Sequence, residues 1–506
     1  MSVPAELIHA GMTLQTLMQD IVDAPPIAIG GIATDSRQLR YGDVFLARAG
    51  GRSHGLDFIE QAMAAGVAAV IYDSDTATGP GVYPDVPIIG VPALAQHIGT
   101  LADRWFSSPS KSIAVTGVTG TNGKTTVALM LAQCLQLLGQ RCGYIGTLGK
   151  GIDELDSTNG LTTPASLDLH RILAEFRSDR ATHAAIEVSS HGLSQGRVDG
   201  VRFNSAMFTN LSRDHIDYHG DMQKYFDEKA RLFLDGRSAA AVINVDSEFG
   251  QDLASRCKCD VTVVSTQSGH VANGQQFVIA RSIVTSASGS RVRFDSSWGS
   301  SEIDLGLPGT FNIENALLVL AEMLRGGQPM DKSCSVLAAV KAPAGRMQRV
   351  EHPSQAKLPA VYVDYAHTPA GLESALRALR SHCRGDLWCV FGCGGDRDSG
   401  KRSQMGDVVS RLAARAIVTS DNPRSENPAG IIDDIRDGMS GDEIVIEDRA
   451  AAIAYAIRQA ADADTILIAG KGHEEIQIVG ERSILFSDYG AAHANLRVRH
   501  DRSADS

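Results

Sequence analysis

The sequence predicts an α/β fold of three domains, with a doubly wound parallel sheet in the central one. Short apolar runs alternate with helical stretches over most of the chain, a rhythm typical of parallel sheets covered by helices. Polar or glycine-rich clusters follow several of these runs, as they do at the carboxyl edge of open α/β sheets. The length of 506 residues corresponds to about three domains, at roughly 100–200 residues for each.

Composition places the chain among ordinary globular proteins. Hydrophobic residues make up 43% and charged residues 21% of it, which excludes a wholly disordered or fibrous protein. The formal net charge is −12, so we expect no general binding to nucleic acid or to anionic membranes. No signal segment and no run of about 18 apolar residues occur, and the eight cysteines are too scattered for a disulfide framework. We therefore predict a cytoplasmic protein without membrane insertion.

The first predicted domain spans residues 1–108 and is a small α/β unit. Strands are expected over 43–47 and 68–72, with a helix from about 57 to 65 between them. The Ser-Pro-Ser segment at 108–110 is the expected linker to the next domain.

The central domain is predicted over residues 109–342. A strand over 112–116 runs into a glycine-rich turn and then an apolar helix over 127–138, and further strands are expected over 184–188, 205–209 and 240–244. From about 261 to 307, short β segments separated by Gly and Ser turns indicate an added antiparallel sheet.

A second, Rossmann-like series of strands and helices is predicted over residues 343–506. Its strands are expected over 360–364, 387–391, 416–419 and 465–469, and each ends in a polar or glycine-rich cluster. Ligands of such sheets bind beyond the carboxyl ends of the strands. This domain is therefore predicted to carry a second binding site.

Residues 117–125, Gly-Val-Thr-Gly-Thr-Asn-Gly-Lys-Thr, join the first central strand to its helix. Backbone N–H groups of such a loop bind phosphate together with the helix dipole. Lys124 adds a positive charge, and the hydroxyl of Thr125 can bind Mg²⁺. Val118 stands where the strict P-loop pattern has glycine, so the segment is a variant of that motif. It predicts nucleotide binding without identifying a reaction.

Three further residues are candidates for the same chemistry. Glu187 ends a predicted strand, where a carboxylate can reach phosphate-bound Mg²⁺, but a salt bridge explains a single strand-end glutamate equally well. His215 offers another ligand, although a lone histidine is more often a packed or surface residue. Lys229 lies on a predicted amphipathic helix and, taken alone, is best explained as a solvated lysine. The residue types leave these alternatives open.

Together these segments resemble the Mur ligase family of ATP-dependent, amide-forming enzymes of peptidoglycan assembly, and within it the MurE-type group. The resemblance covers nearly the whole chain. It is carried by residues 119–126, 187–193, 210–215, 309–315, 345–347, 364–369 and 421–424. So many motifs in the same order exclude chance agreement.

The resemblance implies an amide ligase of peptidoglycan precursor synthesis. Such an enzyme adds meso-2,6-diaminopimelate to the D-Glu of UDP-N-acetylmuramoyl-L-Ala-D-Glu through an acyl phosphate, using ATP and Mg²⁺. The domain over 1–108 would bind the UDP substrate, the domain over 109–342 ATP, and the domain over 343–506 the amino acid. The expected partners are these small molecules, and we expect a monomer.

The resemblance also implies roles for individual residues. Lys124, Glu187, His215 and Lys229 would be catalytic, and Thr125, Glu187, His215 and Lys229 would bind metal. Residues expected at ATP are Gly117, Thr119, Gly120, Thr121, Asn122, Gly123, Lys124, Thr125, Thr126, Asn312, Asn315, Arg346, Asp364 and His367. Residues expected at the UDP-muramoyl dipeptide are Ser36, Thr162, Thr163, Ser189, Gln195 and Arg197. Those expected at diaminopimelate are Arg397, Asp421, Asn422, Pro423, Arg424, Gly470 and Glu474.

Two of these implied roles have a clear physical basis. Carbamylation of Lys229 by CO₂, giving N6-carboxylysine, turns an amine into an anion that can help to hold a second Mg²⁺. Diaminopimelate is lysine with an extra carboxylate, for which Arg424 offers a planar, bidentate partner. A surface salt bridge is the alternative explanation of this arginine.

Two other kinds of function share some of these sequence features. A folylpolyglutamate synthetase or another Mur ligase would share the activation chemistry, but the Asp-Asn-Pro-Arg segment at 421–424 is typical of the MurE-type group. A non-catalytic ATP-binding scaffold is disfavoured because Lys124, Thr125, Glu187, His215 and Lys229 are all present.

Overall fold

The computed structural model describes residues 11–50, 53–81, 83–156, 160–270, 275–286, 289–352 and 358–504. It divides into two units, one of residues 1–128 with 135–261 and the other of residues 129–134 with 262–506. Both units are mixed α/β, as the sequence predicts. Across the described ranges, no helix is both long enough and apolar enough to cross a bilayer.

The first unit begins with a four-stranded sheet in the order β1-β2-β3-β4, and all its neighbours are parallel. Alternate residues of β2 pack into separate hydrophobic clusters, Val44 and Leu46 on one face and Phe45 and Ala47 on the other, so both faces are covered. The predicted strands and helix are confirmed with shifts of one or two residues. The elements are α1 (Leu14–Leu17), β1 (Gly31–Ala33), β2 (Asp43–Ala47), α2 (Ile59–Ala64), β3 (Ala69–Asp73), β4 (Ile88–Val91) and α3 (Leu94–Trp105).

The rest of this unit contains strands in the order β10-β9-β5-β8-β6-β7, parallel except for β7 against β6. Because β5 lies between β8 and β9, the carboxyl ends of these three strands meet at one edge, where ligands of such sheets bind. The elements are β5 (Ala114–Thr119), α4 (Lys124–Leu137), β6 (Cys142–Gly146), β7 (Gly149–Gly151), α5 (Ser166–Ser178), β8 (His183–Glu187), α6 (Ser190–Ser194), β9 (Ser205–Phe208), α7 (Ile216–His219), α8 (Met222–Leu234), β10 (Ala240–Asn244) and α9 (Glu248–Arg256).

Helix α4 begins at Lys124, three residues before the predicted start at 127. The apolar pattern begins at Val127, whereas the backbone becomes helical at the end of the glycine-rich loop, a boundary that hydrophobic periodicity does not report. Other helices begin at conventional N-caps, where the side chains of Ser189, Asp221 and Ser247 accept backbone N–H bonds in α6, α8 and α9.

The second unit begins with the added β segment predicted over 261–307. Strands β12, β13 and β14 are antiparallel as predicted, whereas β11 and β12 are parallel. Residues 271–274 and 287–288 of this prediction lie outside the described residues. The elements are β11 (Asp260–Ser265), β12 (Gln276–Ser286), β13 (Gly289–Ser296), β14 (Gly299–Leu305), α10 (Thr310–Arg325) and α11 (Met330–Ala339).

The remainder of the second unit has a sheet in the order β15-β16-β20-β17-β18-β19, parallel except for β15. Three of the four predicted strands match to the residue, and the fourth is shifted by one. The elements are β15 (Gln348–Arg349), β16 (Ala360–Asp364), α12 (Pro369–Arg380), β17 (Leu387–Phe391), α13 (Lys401–Leu412), β18 (Arg415–Val418), α14 (Pro428–Arg436), β19 (Ile444–Val445), α15 (Arg449–Gln459), β20 (Thr465–Ala469), β21 (Ile476–Val479), β22 (Arg482–Leu485) and α16 (Asp488–Ala504).

Helices cover both faces of this sheet. In β17, Cys389 and Phe391 pack into one hydrophobic cluster, and Trp388 and Val390 pack into the other. Full burial on both faces requires the near-continuous apolar run that made this strand predictable.

Candidate functional site

The loop between β5 and α4 is held by the segment that follows β9. The backbone N–H of Thr121 donates to Asn210 O at 2.9 Å, and that of Asn122 donates to the side-chain Oδ1 of Asn210 at 3.0 Å. Gly120 has φ +147°, and a Cβ there would overlap Thr209 Oγ1, so the turn requires glycine. Residues 120–126 thus form a fixed turn at the start of α4, the usual geometry of a phosphate site.

Two residues predicted at ATP lie in the strand and not in the loop. Both are within β5, where Gly117 pairs with β8 and β9 and Thr119 pairs with β9. A Cβ at Gly117 would lie 2.8 Å from the ring of Phe203. Gly117 is therefore required for packing beneath the loop.

Two lysine side chains share one carbonyl oxygen of the loop. Lys124 Nζ donates to Gly120 O at 3.0 Å, and Lys229 Nζ donates to the same oxygen at 2.8 Å. Lys229 is 1% exposed and lies over the ring of Tyr225, so the alternative of a solvated lysine is wrong. Burial and the charge of Lys124 hold the pKa of Lys229 well below its usual range, although Asp214 opposes them. This environment favours the neutral amine.

The carboxylate of Glu187 is fully buried at the end of β8. Its Oε1 accepts from the Tyr144 hydroxyl and from the Thr147 backbone N–H, the latter at 2.9 Å. Its Oε2 accepts from Thr125 Oγ1 at 2.9 Å and from Thr147 Oγ1 at 3.2 Å. No Lys or Arg in the described residues forms a salt bridge with it, so the salt-bridge explanation of Glu187 is wrong.

His215 immediately precedes the short helix α7 and lies within a group of aromatic side chains. Its ring centroid lies 4.8 Å from that of His191 and 6.2 Å from that of Tyr225. Its Nε2 lies 3.5 Å from Asp214 Oδ2, and its side chain is about half exposed. The backbone has φ +53°, a strained conformation of the kind that clusters at functional sites. His215 is thus an accessible imidazole close to Tyr225, over which Lys229 lies.

The oxygens of Thr125 and Glu187 suit a magnesium ion. They are 2.9 Å apart, and adjacent ligands of an octahedral Mg²⁺ at 2.0–2.1 Å are also about 2.9 Å apart. Over the described ranges, no three His, Cys, Asp or Glu side chains are arranged to hold a metal. A site of one carboxylate and one hydroxyl fits Mg²⁺, which is usually bound by one or two carboxylates together with substrate phosphates.

The residues predicted at the UDP-muramoyl dipeptide form a connected group, apart from Ser36. Thr163 Oγ1 donates to the backbone oxygen of Glu187 at 2.8 Å and lies 3.1 Å from Ser189 Oγ. Arg197 Nη1 donates to Thr163 O at 2.8 Å, and its Nε donates to Gln195 at 3.0 Å. No carboxylate in the described residues forms a salt bridge with Arg197, so its charge is available for an anion.

Thr162 joins this group through Thr147, whereas Ser36 lies apart from it. Thr162 Oγ1 is 3.1 Å from Thr147 Oγ1 and so continues the group around Glu187. Ser36 lies in a 3₁₀ turn of the N-terminal α/β segment and donates to Gln61 at 2.8 Å.

The other residues predicted at ATP belong to the second unit. Asn312 and Asn315 are buried near the start of α10, where Asn312 Nδ2 donates to Pro308 O at 2.7 Å. The guanidinium of Arg346 lies 4.7 Å from the ring centroid of Tyr365, and its buried Nε has no hydrogen-bond partner in the described residues.

Asp364 and His367 follow β16. Asp364 accepts backbone N–H bonds from Met347 at 2.6 Å and Ala366 at 3.0 Å. Desolvation raises the pKa of Asp364, and the charge of Arg346 opposes this rise. His367 is exposed, and its Nδ1 lies 2.8 Å from Tyr365 O. Arg346 and Asp364 thus bring opposite charges together at the end of β16.

The loop that follows β18 presents Arg424. The arginine has φ +51°, its N–H donates to Ile478 O at 3.0 Å, and its Nη1 donates to Gly395 O at 2.7 Å. A Cβ on Gly394 would lie 2.9 Å from that nitrogen. No carboxylate in the described residues forms a salt bridge with Arg424 or with the exposed Arg397, so the salt-bridge explanation of Arg424 is wrong.

A buried lysine that was not predicted from the sequence, Lys471, lies beneath this loop. Lys471 Nζ donates to Asn422 Oδ1 at 3.2 Å, to Glu474 Oε2 at 3.3 Å and to Ile476 O at 2.7 Å. Asn422 Nδ2 donates to the same Glu474 oxygen at 2.7 Å. These bonds fix the amide of Asn422 and turn one oxygen of Glu474 inward.

Asp421 and Gly470 lie beside a second buried charge pair. Arg449 Nε donates to Asp488 at 2.7 Å, both side chains are fully buried, and Arg449 Nη2 donates to Ala469 O at 2.9 Å. Burial raises the pKa of Asp421, and the charges of Arg449 and Lys471 oppose this rise. A Cβ at Gly470 would overlap the Asp421 carboxylate. Pro423 is buried between Asn422 and Arg424.

Five residues of these sites were not predicted from the sequence: Tyr144, Thr147, Lys471, Arg449 and Asp488. Lys471 stands next to Gly470 in a Gly-Lys-Gly-His-Glu segment, which was a usable signal. The other four stand in no recognised pattern. Tyr144 and Thr147 lie 43 and 40 residues before Glu187, and Arg449 lies 39 residues before Asp488.

Family models match three consecutive parts of the chain. Residues 28–106 match the Mur ligase family, catalytic domain; residues 118–323 match the Mur ligase middle domain; and residues 345–472 match the Mur ligase, glutamate ligase domain.

Curated relatives extend over nearly the whole length. A UDP-N-acetylmuramoyl-L-alanyl-D-glutamate–2,6-diaminopimelate ligase of Alkalilimnicola ehrlichii is 43% identical over 491 residues, 94% of this chain and 97% of the relative. The ligase of the same name from Haemophilus influenzae is 41% identical over 469 residues, 91% of this chain and 95% of the relative.

Solved structures agree with these matches. A UDP-N-acetylmuramoyl-L-alanyl-D-glutamate–2,6-diaminopimelate ligase is similar at a TM-score of 0.72 and 32% identity, over 97% of this chain and 99% of that one. The MurF ligase of Thermotoga maritima, in complex with ADP, shares the fold at a TM-score of 0.64 and 17% identity, over 93% of this chain and 98% of that one. From the family models and the identity of 41–43% to curated ligases, we conclude that this chain belongs to the Mur ligase family.

Proposed function

We propose that this protein is an ATP-dependent ligase of peptidoglycan precursor synthesis that adds meso-2,6-diaminopimelate to UDP-N-acetylmuramoyl-L-Ala-D-Glu. Family membership and the names of the curated relatives support the ligase chemistry. The single observation that carries the choice of amino acid is Arg424, a half-buried cation that forms no salt bridge with a carboxylate of the described residues, although Asp396 feels its charge. The extra carboxylate of diaminopimelate supplies the missing partner. No observation favours another amino acid or a folate substrate.

The reaction proceeds in two steps. The carboxylate of the D-Glu residue attacks the γ-phosphorus of ATP, which gives an acyl phosphate and ADP. The neutral amine of diaminopimelate then attacks the acyl carbon, and phosphate leaves as the amide forms and the amine loses a proton. The segment of residues 119–126, which comprises the end of β5, the loop and the start of α4, binds the phosphates, and Lys124 offsets the charge on the transferring phosphoryl oxygens.

Thr125 and Glu187 are the proposed magnesium ligands. When bound, Mg²⁺ neutralises charge on the phosphate oxygens. The donors on Glu187, which are Tyr144, Thr147 and Thr125, orient the carboxylate towards the loop. The nucleotide contacts from Asn312, Asn315, Arg346, Asp364 and His367 stay proposals.

Lys229 is proposed to carry a carbamate. Its amine nitrogen would bond to the carbon of CO₂ and lose one proton, which requires the neutral amine favoured by its burial. The carbamate anion would then lie beside the cationic Lys124, which shares Gly120 O with Lys229. Together with His215, it would hold a second Mg²⁺.

The remaining assignments complete the proposal. Ser36, Thr162, Thr163, Ser189, Gln195 and Arg197 bind the UDP-muramoyl dipeptide, with Arg197 supplying the charge for its anionic groups. The domains extend over 1–108, 109–342 and 343–506. A cytoplasmic monomer without affinity for nucleic acid stays a prediction, and its net charge of −12 supports the last point.

At the amino-acid site, Arg424 and Arg397 would receive the distal carboxylate. An ammonium group of the substrate would bind to Glu474, Asp421 and the backbone of Gly470, because two carboxylates lie close together there. Asn422 and Pro423 shape the loop between the two ends. An amino acid with a carboxylate at one end and an ammonium group at the other would pair with the arginines and with the carboxylates of this site.

A phosphate-release assay tests the proposal. The protein is supplied with UDP-N-acetylmuramoyl-L-Ala-D-Glu, ATP and Mg²⁺, and with meso-diaminopimelate, L-lysine, L-alanine or L-glutamate in turn. We expect rapid release with meso-diaminopimelate only, and a product heavier by diaminopimelate less one water. Equal turnover with L-lysine would overturn the choice of amino acid, and no release with any amine would overturn the ligase function.

A further inference from the structure

The hydroxyl of Thr147 lies between two of the proposed sites. Thr147 follows β6, and its Oγ1 is 3.2 Å from Glu187 Oε2 and 3.1 Å from Thr162 Oγ1. On the other side, Glu187 Oε2 accepts from Thr125 Oγ1 at 2.9 Å. Thr162, Thr147, Glu187 and Thr125 thus form one unbroken row of hydrogen bonds, which connects a residue proposed at the UDP-muramoyl dipeptide with a residue proposed at the nucleotide.

The chemistry of these groups determines which oxygen donates and which accepts in each hydrogen bond. Glu187 is surrounded by donors, including the backbone N–H of Thr147, and a carboxylate only accepts. Thr147 therefore donates its one hydroxyl proton to Glu187. The bond between the two threonines must then be donated by Thr162, which leaves Thr162 with only lone pairs for a ligand.

We infer that Thr147 is a positioning residue through which nucleotide binding changes the affinity for the UDP-muramoyl dipeptide. The inference rests on the proposed function of the two sites. A magnesium nucleotide that engages Thr125 and Glu187 competes with Thr147 for Glu187 Oε2. The Thr147 proton then turns to Thr162 Oγ1, and the proton of Thr162 becomes available for an acceptor on the dipeptide substrate.

Removing the hydroxyl alone isolates this role. Thr147→Val keeps the branched shape and the backbone N–H that donates to Glu187 Oε1 at 2.9 Å, so Glu187 stays held by that bond and by Tyr144. Thr147→Ser keeps the hydroxyl and is the matched control. A purely structural hydroxyl would alter both substrate affinities without altering their interdependence.

The test is calorimetric titration of the full-length protein with UDP-N-acetylmuramoyl-L-Ala-D-Glu, with and without saturating Mg²⁺ and a non-hydrolysable ATP analogue. Coupling between sites is commonly worth about 5- to 150-fold in affinity. We expect the wild type and Thr147→Ser to bind the dipeptide at least about fivefold more tightly with the nucleotide, and Thr147→Val to show less than a twofold difference. Titrating the nucleotide with and without the dipeptide must give the same factor, because coupling is reciprocal.

Two outcomes overturn the inference. In the first, the nucleotide raises the affinity for the dipeptide by the same factor in Thr147→Val as in the wild type. In the second, the wild type turns over all three substrates, but nucleotide binding does not change its affinity for the dipeptide. A wild type without turnover would instead overturn the proposed function. If Thr147→Val proves unfolded by its melting curve, Thr162→Val interrupts the same row from its other end and must abolish the coupling in turn.

Discussion

Replacing Arg424 by alanine should weaken diaminopimelate binding specifically. The change removes a half-buried guanidinium that donates to Gly395 O and leaves the distal carboxylate of the substrate without its bidentate partner. Truncating one partner of a buried charge pair costs about 2–5 kcal/mol. Because Arg424 is only half buried, we expect about 2–3 kcal/mol, which corresponds to an increase of about 30- to 150-fold in the KM for diaminopimelate.

The assay is phosphate release with meso-diaminopimelate varied at saturating ATP and UDP-muramoyl dipeptide, and then with ATP varied. The KM for ATP should stay within about twofold. Arg424→Lys is the matched control, since it keeps the positive charge and the same Cβ at φ +51° but loses the planar fork. We expect this variant to fall between the wild type and Arg424→Ala.

A KM for diaminopimelate within about threefold of the wild type in Arg424→Ala would refute this reasoning. So would an equal rise in the KM for ATP, because a general distortion of the second unit would then explain the loss.

Three other changes test separate parts of the structure. Gly394→Ala would place a methyl group 2.9 Å from a guanidinium nitrogen of Arg424. We therefore expect a raised KM for diaminopimelate with an unchanged melting temperature. An unchanged KM would show that the position of the guanidinium is not critical. Lys229→Ala and Lys229→Arg should both lose most turnover while remaining folded by circular dichroism, and added short carboxylates should partly restore the alanine variant; near-normal turnover at limiting Mg²⁺ would contradict the carbamate. Asp488→Asn removes the carboxylate charge that is hydrogen-bonded to the buried Arg449 and should lower the free energy of unfolding by about 3–5 kcal/mol, measured by urea titration. A loss below about 1 kcal/mol would contradict this expectation.

Much of the fold could be predicted because its signals are local. Strands such as β10, β16, β17 and β20 are short apolar runs buried on both faces, and their limits match the prediction to the residue. The phosphate loop is equally local, since a strand, glycines and a Lys-Thr pair follow one another. The resemblance to a family added candidate residues at both sites without giving their environments.

The surroundings of each site residue depend on partners that are far away in the sequence. Lys229 lies on an amphipathic helix and would be taken for a solvated lysine, yet the fold buries it against Gly120, 109 residues earlier. Glu187 receives its donors from Tyr144 and Thr147, which precede it by 43 and 40 residues. Such partners leave no local periodicity, because a hydrogen bond across a sheet depends on strand order and register.

The sequence by itself therefore determined the class of fold, the phosphate loop and the family, since each is encoded in contiguous residues whose spacing sets the local backbone. Only the tertiary structure decided which charged groups are paired. Arg424 forms no salt bridge with a carboxylate of the described residues, and its guanidinium donates to Gly395 O from a left-handed turn, whereas Arg449 is buried against Asp488. Both are arginines in the same part of the chain, and the free energy of an ion in a protein is set by burial and by neighbouring charge, which folding alone supplies.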